Sequence, residues 1–224
     1  MDDFLESMYQ HRLGDDADFR QRMYEVLCQK VFQKYIPQNA TVLDLAAGYC
    51  EFINNIQAHN KIAVDLNPDT GKHAAPNVKT ITTNTTDLKT INDNTIDVVF
   101  TSNFFEHLSK PDIVQTIREI HRILKPNGRF LILQPNIRYC YKDYWMFFDH
   151  ITPIDHHSLS EILEIHNFAI DVCIPRFLPY STKGRLPNSI WLLKLYLSLP
   201  LVKRIFGKQL FICARKLAPA GKQK

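Results

Sequence analysis

"TVLDLAAGYC", residues 41–50, decides how the chain is read. An apolar run carries an aspartate, Asp44, and passes into a turn of small residues around Gly48. A strand that feeds such a turn suits a ligand. Glycine lets the backbone approach closely, and the helix that follows presents free N–H groups. Yet Ala46-Ala47-Gly48-Tyr49-Cys50-Glu51 lacks the G-x-G-x-x-G fingerprint of a nicotinamide site. Glu51, at the head of the helix, repels a pyrophosphate. The ligand implied has a ribose and no phosphate, as adenosine with an amino-acid tail does.

The next strand, "KIAVDL", ends near Asp65, about 20 residues after Asp44. A carboxylate at that distance is suited to accept hydrogen bonds from two ribose hydroxyls. The bland reading of Asp65 is a turn aspartate.

Strand-like and helix-like segments alternate around this pair. "DADFRQRMYEVLCQKVFQKYIP" puts Phe19, Met23, Leu27, Val31 and Tyr35 on one helical face, and Pro37 closes it. "ATVLDLA" predicts a strand, "YCEFINNIQAH" a helix, and "KIAVDL", "NVKTIT" and "TIDVVFTS" three more strands. "SKPDIVQTIREIHRIL" predicts a helix with Ser109 as cap, Pro111 in its first turn, and Ile113, Ile117, Ile120 and Leu124 on one face. "KPNG" stops it before the strand "RFLILQP". "SLSEILEIHNF" predicts a helix with Ser158 and Glu161 as a capping box, followed by strands "AIDVCIP" and "KQLFICARK". The expectation is an α/β fold: a Rossmann-like, seven-stranded, mostly parallel sheet with helices on both faces. In such sheets ligands bind beyond the carboxyl ends of the strands, where strand order reverses.

The chain has 224 residues, 45% hydrophobic and 22% charged, which suits one globular domain. Its start, "MDDFLESMYQ", is acidic and does not read as a secretory signal. Five cysteines, odd in number and without metal-type spacing, suggest reduced thiols, a cytoplasmic setting and no metal. The net charge of +4 is unevenly spread: from Val172 onward there are 11 Lys/Arg and no Asp or Glu. The remainder holds 16 basic against 23 acidic residues. A basic quarter on an acidic body suggests a surface that meets anions.

With these pieces assembled, the chain resembles the class I S-adenosylmethionine-dependent methyltransferases over nearly all of residues 38–216. The resemblance rests on "VLDLAAGYCEFI", "IAVDLNPD", "TTNTTDL", "IDVVFTSNFFEHL" and "EIHRILKPNGRFLILQPN". Ala46 and Cys50 stand where that family usually has glycine. The resemblance implies S-adenosylmethionine as cofactor. Asp44 through Gly48, Ala46 included, would wrap its methionine part. Asp65 would hold the ribose and Leu66 would pack on the adenine. Asp87 would accept from the adenine amino group, with Leu88 supplying a backbone N–H. Asn103 and Phe104 would close the other side. Asp87 reads equally well as a solvated loop acid.

His107, in "FEHL", is either a catalytic group or a structural one. After the fifth strand, "NIRYCYKDYWMFFDHITPIDHHSL" carries aromatics and three histidines. In a methyltransferase this segment lies over the acceptor. An oxygen acceptor also needs its proton removed, for which histidine is suited. His150 beside Asp149 is the first candidate base, then His156 or His157. Tyr139, Tyr141, Tyr144 and Trp145 would line the pocket, with Arg138 meeting an anion.

The expected layout is one methyltransferase domain over 1–224. Residues 1–37 form a helical region, 38–175 the cofactor-binding core, 176–206 a lid or membrane-facing insertion, 207–216 the last strand and 217–224 a tail. The insertion holds "SIWLLKLYLSLPLVKRIF", too short and broken to span a bilayer but suited to an acceptor lid or a membrane interface. The late segments resemble methyltransferases of polysaccharide and lipopolysaccharide biosynthesis, implying a sugar, glycan or lipid-linked acceptor, anionic in some cases. Two other readings stand beside this. One is an RNA methyltransferase using the basic quarter, disfavoured by the apolar insertion. The other is a non-catalytic cofactor-binding protein. The expected place is the cytoplasm, with peripheral contact at the inner membrane face as one option; oligomeric state is not legible.

Overall fold

The computed structural model describes residues 17–180 and 189–218. The acidic start of the chain, residues 181–188 of the insertion and the end of the tail lie outside the described residues.

Seven strands form one sheet: β1 (Thr41–Leu45), β2 (Asn60–Asp65), β3 (Val78–Thr82), β4 (Ile96–Ser102), β5 (Leu124–Pro135), β6 (Phe168–Leu178) and β7 (Gln209–Lys216). Their order is β3-β2-β1-β4-β5-β7-β6. β1 pairs in parallel with β2 and β4, as do β2 with β3 and β4 with β5. β7 alone is reversed, antiparallel to β5 and β6. The expected architecture is therefore present. The chain leaves β1 toward β3, then returns to add β4 on the other side of β1. That reversal opens a crevice at the carboxyl tips of β1 and β4.

The core follows from alternation along the strands. Val42, Ala63, Val98, Phe100, Leu131 and Leu133 face one side of the sheet. There they meet helix α1 (Ala17–Leu27), the turns after it, and helix α2 (Glu51–Asn55). Leu43, Leu45, Val64, Val99, Phe130 and Ile132 face the other side, beneath helices α4 (Lys110–Ile123) and α6 (His156–Ile165). Two shorter helices, α3 (Thr70–His73) and α5 (Ile137–Tyr144), follow the tips of β2 and β5.

Three boundaries differ from the sequence pattern. The first helix does not continue regularly to Tyr35. It passes at Cys28–Phe32 into a π turn, which brings Cys28, Val31 and Phe32 into the core together. "KPNG" does end a helix, at Ile123, but it lies inside β5 as a bulge. Ile96 pairs with Leu124, and the register resumes at Val98 with Arg129. Gly128 is obligatory in that bulge, since a Cβ would lie 2.8 Å from the Lys125 carbonyl oxygen. Finally, the cap of α6 is Asp155. Its Oδ1 accepts from the N–H groups of His157 (3.0 Å) and Ser158 (2.8 Å), and Ser158 Oγ accepts from Asp155 N–H (3.1 Å). Ser158 is thus the third helical residue of the capping box, where the pattern had placed it first.

β6 extends to Leu178, so the insertion begins later than residue 176. It holds helices α7 (Ile190–Ser198) and α8 (Pro200–Phe206). Leu193, Tyr196 and Leu197 of α7 pack on the core side that holds α1, and Tyr196 Oη donates to the Phe177 carbonyl at 3.0 Å. Among the described residues no helix is long and apolar enough to cross a membrane.

Candidate active site

The turn after β1 explains its missing glycines. Ala46, Gly48 and Cys50 have φ of 57°, 52° and 61°, all in the left-handed region. Only Gly48 adopts it without strain; for Ala46 and Cys50 it costs on the order of 1 kcal/mol each. The backbone path that glycine favours is therefore kept while two side chains are tolerated. Cys50 is buried in the core, and Ala47 N–H donates to the Val64 carbonyl at 3.1 Å, pinning the turn to β2. A Cβ on Gly48 would meet nothing within 4 Å, so the space above it is open.

Three acids flank that turn: Asp44 before it, Glu51 after it, and Asp65 bonded to it from β2. Asp65 is buried, and its carboxylate accepts from the N–H groups of Gly48 and Asn67, each at 2.8 Å. Burial raises its pKa above the usual carboxylate range, and the donated N–H groups offset part of the rise. Asp44 is lifted well above that range by burial, then by the nearby charge of Glu51 and, less, of Asp65, while the Ile53 N–H opposes the rise. Glu51 receives Arg20 Nε at 3.0 Å. The cradle thus carries an excess of acid, which rejects phosphate and suits a cation.

The remaining candidate residues lie near the tips of β2 and β4 and in the turn after β3. Leu66, exposed, stands just past the tip of β2. Asp87 lies in the turn that Thr83 N–H ties to the Asp65 carbonyl (3.0 Å), and its carboxylate pairs with Lys89 at 3.2 Å. Leu88 is a correction. Its side chain is fully buried and its N–H donates to Glu119 Oε2 at 2.8 Å, so that group is spent inside the fold. Asn103, in the left-handed region with φ of 48°, and Phe104 follow the tip of β4. Phe104 N–H faces Gln134 Oε1 at 3.4 Å.

Beyond Phe104 lies a second cluster. Glu106 is 1% exposed, and its Oε2 accepts from Gln134 Nε2. Burial raises its pKa; the charge of His107 and the Gln134 hydrogen bond oppose this. His107 Nδ1 lies 3.1 Å from Asp149 Oδ2, and its Nε2 lies 3.8 Å from Glu106 Oε1. Burial lowers the His107 pKa, but the Asp149 hydrogen bond and the two carboxylate charges outweigh it, so the net shift is upward. The rings of His107 and His150 meet edge to face at 5.0 Å, with Tyr144 and Phe147 packed on His150 at 4.8 and 5.1 Å. One side-chain atom each from Glu106, His107 and His150 lies within 4.8 Å of the others, a spacing that three ligands of one metal ion could adopt.

This revises the sequence reading of the histidines. Asp149, expected beside His150, holds the ring of His107. Tyr144 is fully buried, its hydroxyl donating to the Thr152 carbonyl at 2.5 Å. His156 is tied to Asn136 at 3.1 Å and stacked on Tyr139, at the foot of α6. Tyr141 and Trp145 are exposed, as are Met146 and Phe148. Glu106 and Gln134 were not singled out by pattern. Their signals are a lone charge among Phe104, Phe105 and Leu108, and a lone amide ending the apolar run of β5.

Residues 43–132 match the family model described as a methyltransferase domain. The chain carries an S-adenosylmethionine-dependent methyltransferase domain. Solved structures carry the same fold. An S-adenosylmethionine-dependent methyltransferase from Archaeoglobus fulgidus superposes with a TM-score of 0.66 at 20% identity, covering 90% of this chain and 97% of that one. One from Methanosarcina mazei gives 0.62 at 14% identity, covering 85% and 98%. The [4+2]-cyclase SpnF gives 0.60 at 16% identity, covering 89% and 81%. At these identities the likeness is one of fold, and a cyclase among them shows that the fold alone does not name a reaction. No curated protein matches the sequence. S-adenosylmethionine is the methyltransferase's cofactor. The acid-rich, glycine-opened turn fits that molecule, whose sulfonium and amino group are positive and which carries no phosphate.

Proposed function

We propose that this methyltransferase transfers a methyl group to an oxygen of a sugar, free or within a lipid-linked glycan precursor. When bound, the cofactor supplies a methyl group activated by a positive sulfur. The chain's own residues bind, orient and deprotonate. Asp65 accepts from the ribose hydroxyls with the lone pairs left after its two backbone bonds, and Leu66 covers the adenine. Asp87 faces the adenine amino group. Ala46 and Gly48 bring backbone against the methionine part, whose charges Asp44 and Glu51 balance. Asn103 and Phe104 wall the far side.

On the acceptor side, a sugar hydroxyl becomes nucleophilic as it loses its proton. His107 takes that proton, held in orientation by Asp149, while Glu106 steadies the resulting imidazolium. His150 packs against that ring and is the second candidate. Exposed Tyr141 and Trp145 offer flat faces to the C–H side of a sugar ring.

One observation supports this above others: the Asp149–His107 pair adjoins the cofactor wall, three residues past Phe104. A nucleic-acid acceptor is disfavoured because much of the basic quarter is engaged within the fold. Lys208 pairs with Asp143, Arg215 with Asp171, and Lys216 is buried on Asn94 and the Leu124 carbonyl. The test is transfer of a labelled methyl group into separated glycan, lipid, RNA and protein fractions of a cell extract. Label should enter the glycan or glycolipid fraction, and His107→Ala should abolish its entry. Label confined to RNA or protein contradicts the reading.

A further inference from the structure

The outer face of α7 and α8 carries a run of exposed, large apolar side chains. Trp191, Leu195, Leu199, Leu201, Ile205 and Phe206 are between 41% and 71% exposed. At ~200 Å² for a large side chain, they leave roughly 650 Å² of apolar-residue surface on two consecutive helices. That is at or above the largest patch a monomer ordinarily shows. The inner faces are used normally: Leu193, Tyr196 and Leu197 pack on the core. Arg176 ties the end of α8 by donating to the Gly207 carbonyl at 2.9 Å, so the pair is anchored to β6.

The same surface is basic. Lys194 and Arg204 are exposed, whereas Lys203 is half-buried with its Nζ over the Phe177 ring at 5.7 Å. No acid occurs from Val172 to the end of the chain. Apolar residues interleaved with Lys and Arg match one chemistry: an interface with apolar depth below anionic headgroups. RNA fits poorly, because six large apolar side chains are unsuited to tracking phosphates. A second copy of the chain would set these like charges against each other.

We propose that α7 and α8 form a membrane-docking surface for an anionic bilayer. Trp191, Leu201, Ile205 and Phe206 enter the headgroup–acyl boundary, while Lys194 and Arg204 meet the headgroups. The inference is independent of the acceptor proposed above, since it needs neither cofactor nor substrate.

The test is flotation of the full-length protein with vesicles of phosphatidylcholine, alone or mixed with phosphatidylglycerol, at low and high salt. The wild type should float with the mixed vesicles and be released by salt. Leu201→Ser/Ile205→Ser should weaken binding by about tenfold or more. Lys194→Glu and Arg204→Glu should each weaken binding to the mixed vesicles by about fivefold or more. In a Trp145→Phe background, Trp191 emission should shift to the blue on binding. Cofactor affinity of each variant confirms that it is folded. Wild type that stays unbound with both vesicle types overturns the proposal. So does a wild-type dimer that Leu201→Ser/Ile205→Ser converts to monomer, which would make the patch an interface between copies.

Discussion

At the scale of single residues, the turn after β1 shows how a motif survives the loss of its usual amino acids. Ala46 holds a left-handed φ of 57° that glycine adopts without penalty. Ala46→Gly should therefore leave the fold unharmed and raise stability by up to about 1 kcal/mol, less the entropy glycine gains when unfolded. Chemical denaturation measures this, and a loss above about 1 kcal/mol would argue against the strained turn. The His107–Asp149 pair makes a separate prediction. His107 acts as a base only when neutral, and its pKa is raised in the fold, so turnover should climb with pH through that raised value. Asp149→Asn removes a charge that raises it. The rising limb of kcat/KM should then move to lower pH while cofactor affinity stays unchanged. Gly48 and Asp65 were legible in the sequence because a strand, a turn and a second strand put them at fixed spacing. The pairing of His107 with Asp149 was not, because the two are 42 residues apart and only the folding of the aromatic segment joins them. Leu88 was misread for a related reason: the acceptor that takes its N–H, Glu119, lies on a distant helix.

At the scale of elements, caps and bulges decide where helices and strands stop. Asp155 begins α6 with two accepted N–H bonds, so Asp155→Ala should cost about 1 kcal/mol at neutral pH. Burial tends to raise the Asp155 pKa, but the N–H and hydroxyl bonds from Ser158 outweigh it and the net shift is downward. The stabilisation is therefore fully present above the usual aspartate pKa and lost as pH falls through the lowered one. Denaturation of wild type and variant across that window should show their difference vanish in acid. α4 was legible throughout because cap, proline and apolar spacing agree. The start of α6 was not, since Ser158 and Asp155 both satisfy the pattern of a cap and only geometry chooses between them. "KPNG" carried the stop signal correctly. That a strand could pass through it as a bulge depends on pairing with Ile96 and Val98, which no local pattern encodes.

At the scale of the whole molecule, the sheet divides the core into two apolar layers and holds the acids together at one edge. Phe100 sits centrally in one layer, stacked on Phe52 at 3.7 Å and near Phe32 at 5.1 Å. Phe100→Ala should cost about 3–5 kcal/mol in denaturation experiments. The fold class was readable because the alternation of segments repeats across the whole chain. The reversal of β7 between β5 and β6 follows from long-range packing and was not. The acid cradle couples fold to ligand. The pKa values of Asp44 and Asp65 are raised, so between the ordinary value and the raised one the ligand-free protein gains stability as pH falls. A positively charged cofactor favours the ionised acids and should bind more weakly as pH falls through the same window. The central claim, that these acids hold the cofactor at the strand tips, is met most directly by calorimetric titration of S-adenosylmethionine into wild type and Asp65→Ala. Loss of two charge-assisted hydrogen bonds should weaken binding by about 1–3 kcal/mol; equal affinity in the two proteins would contradict the account.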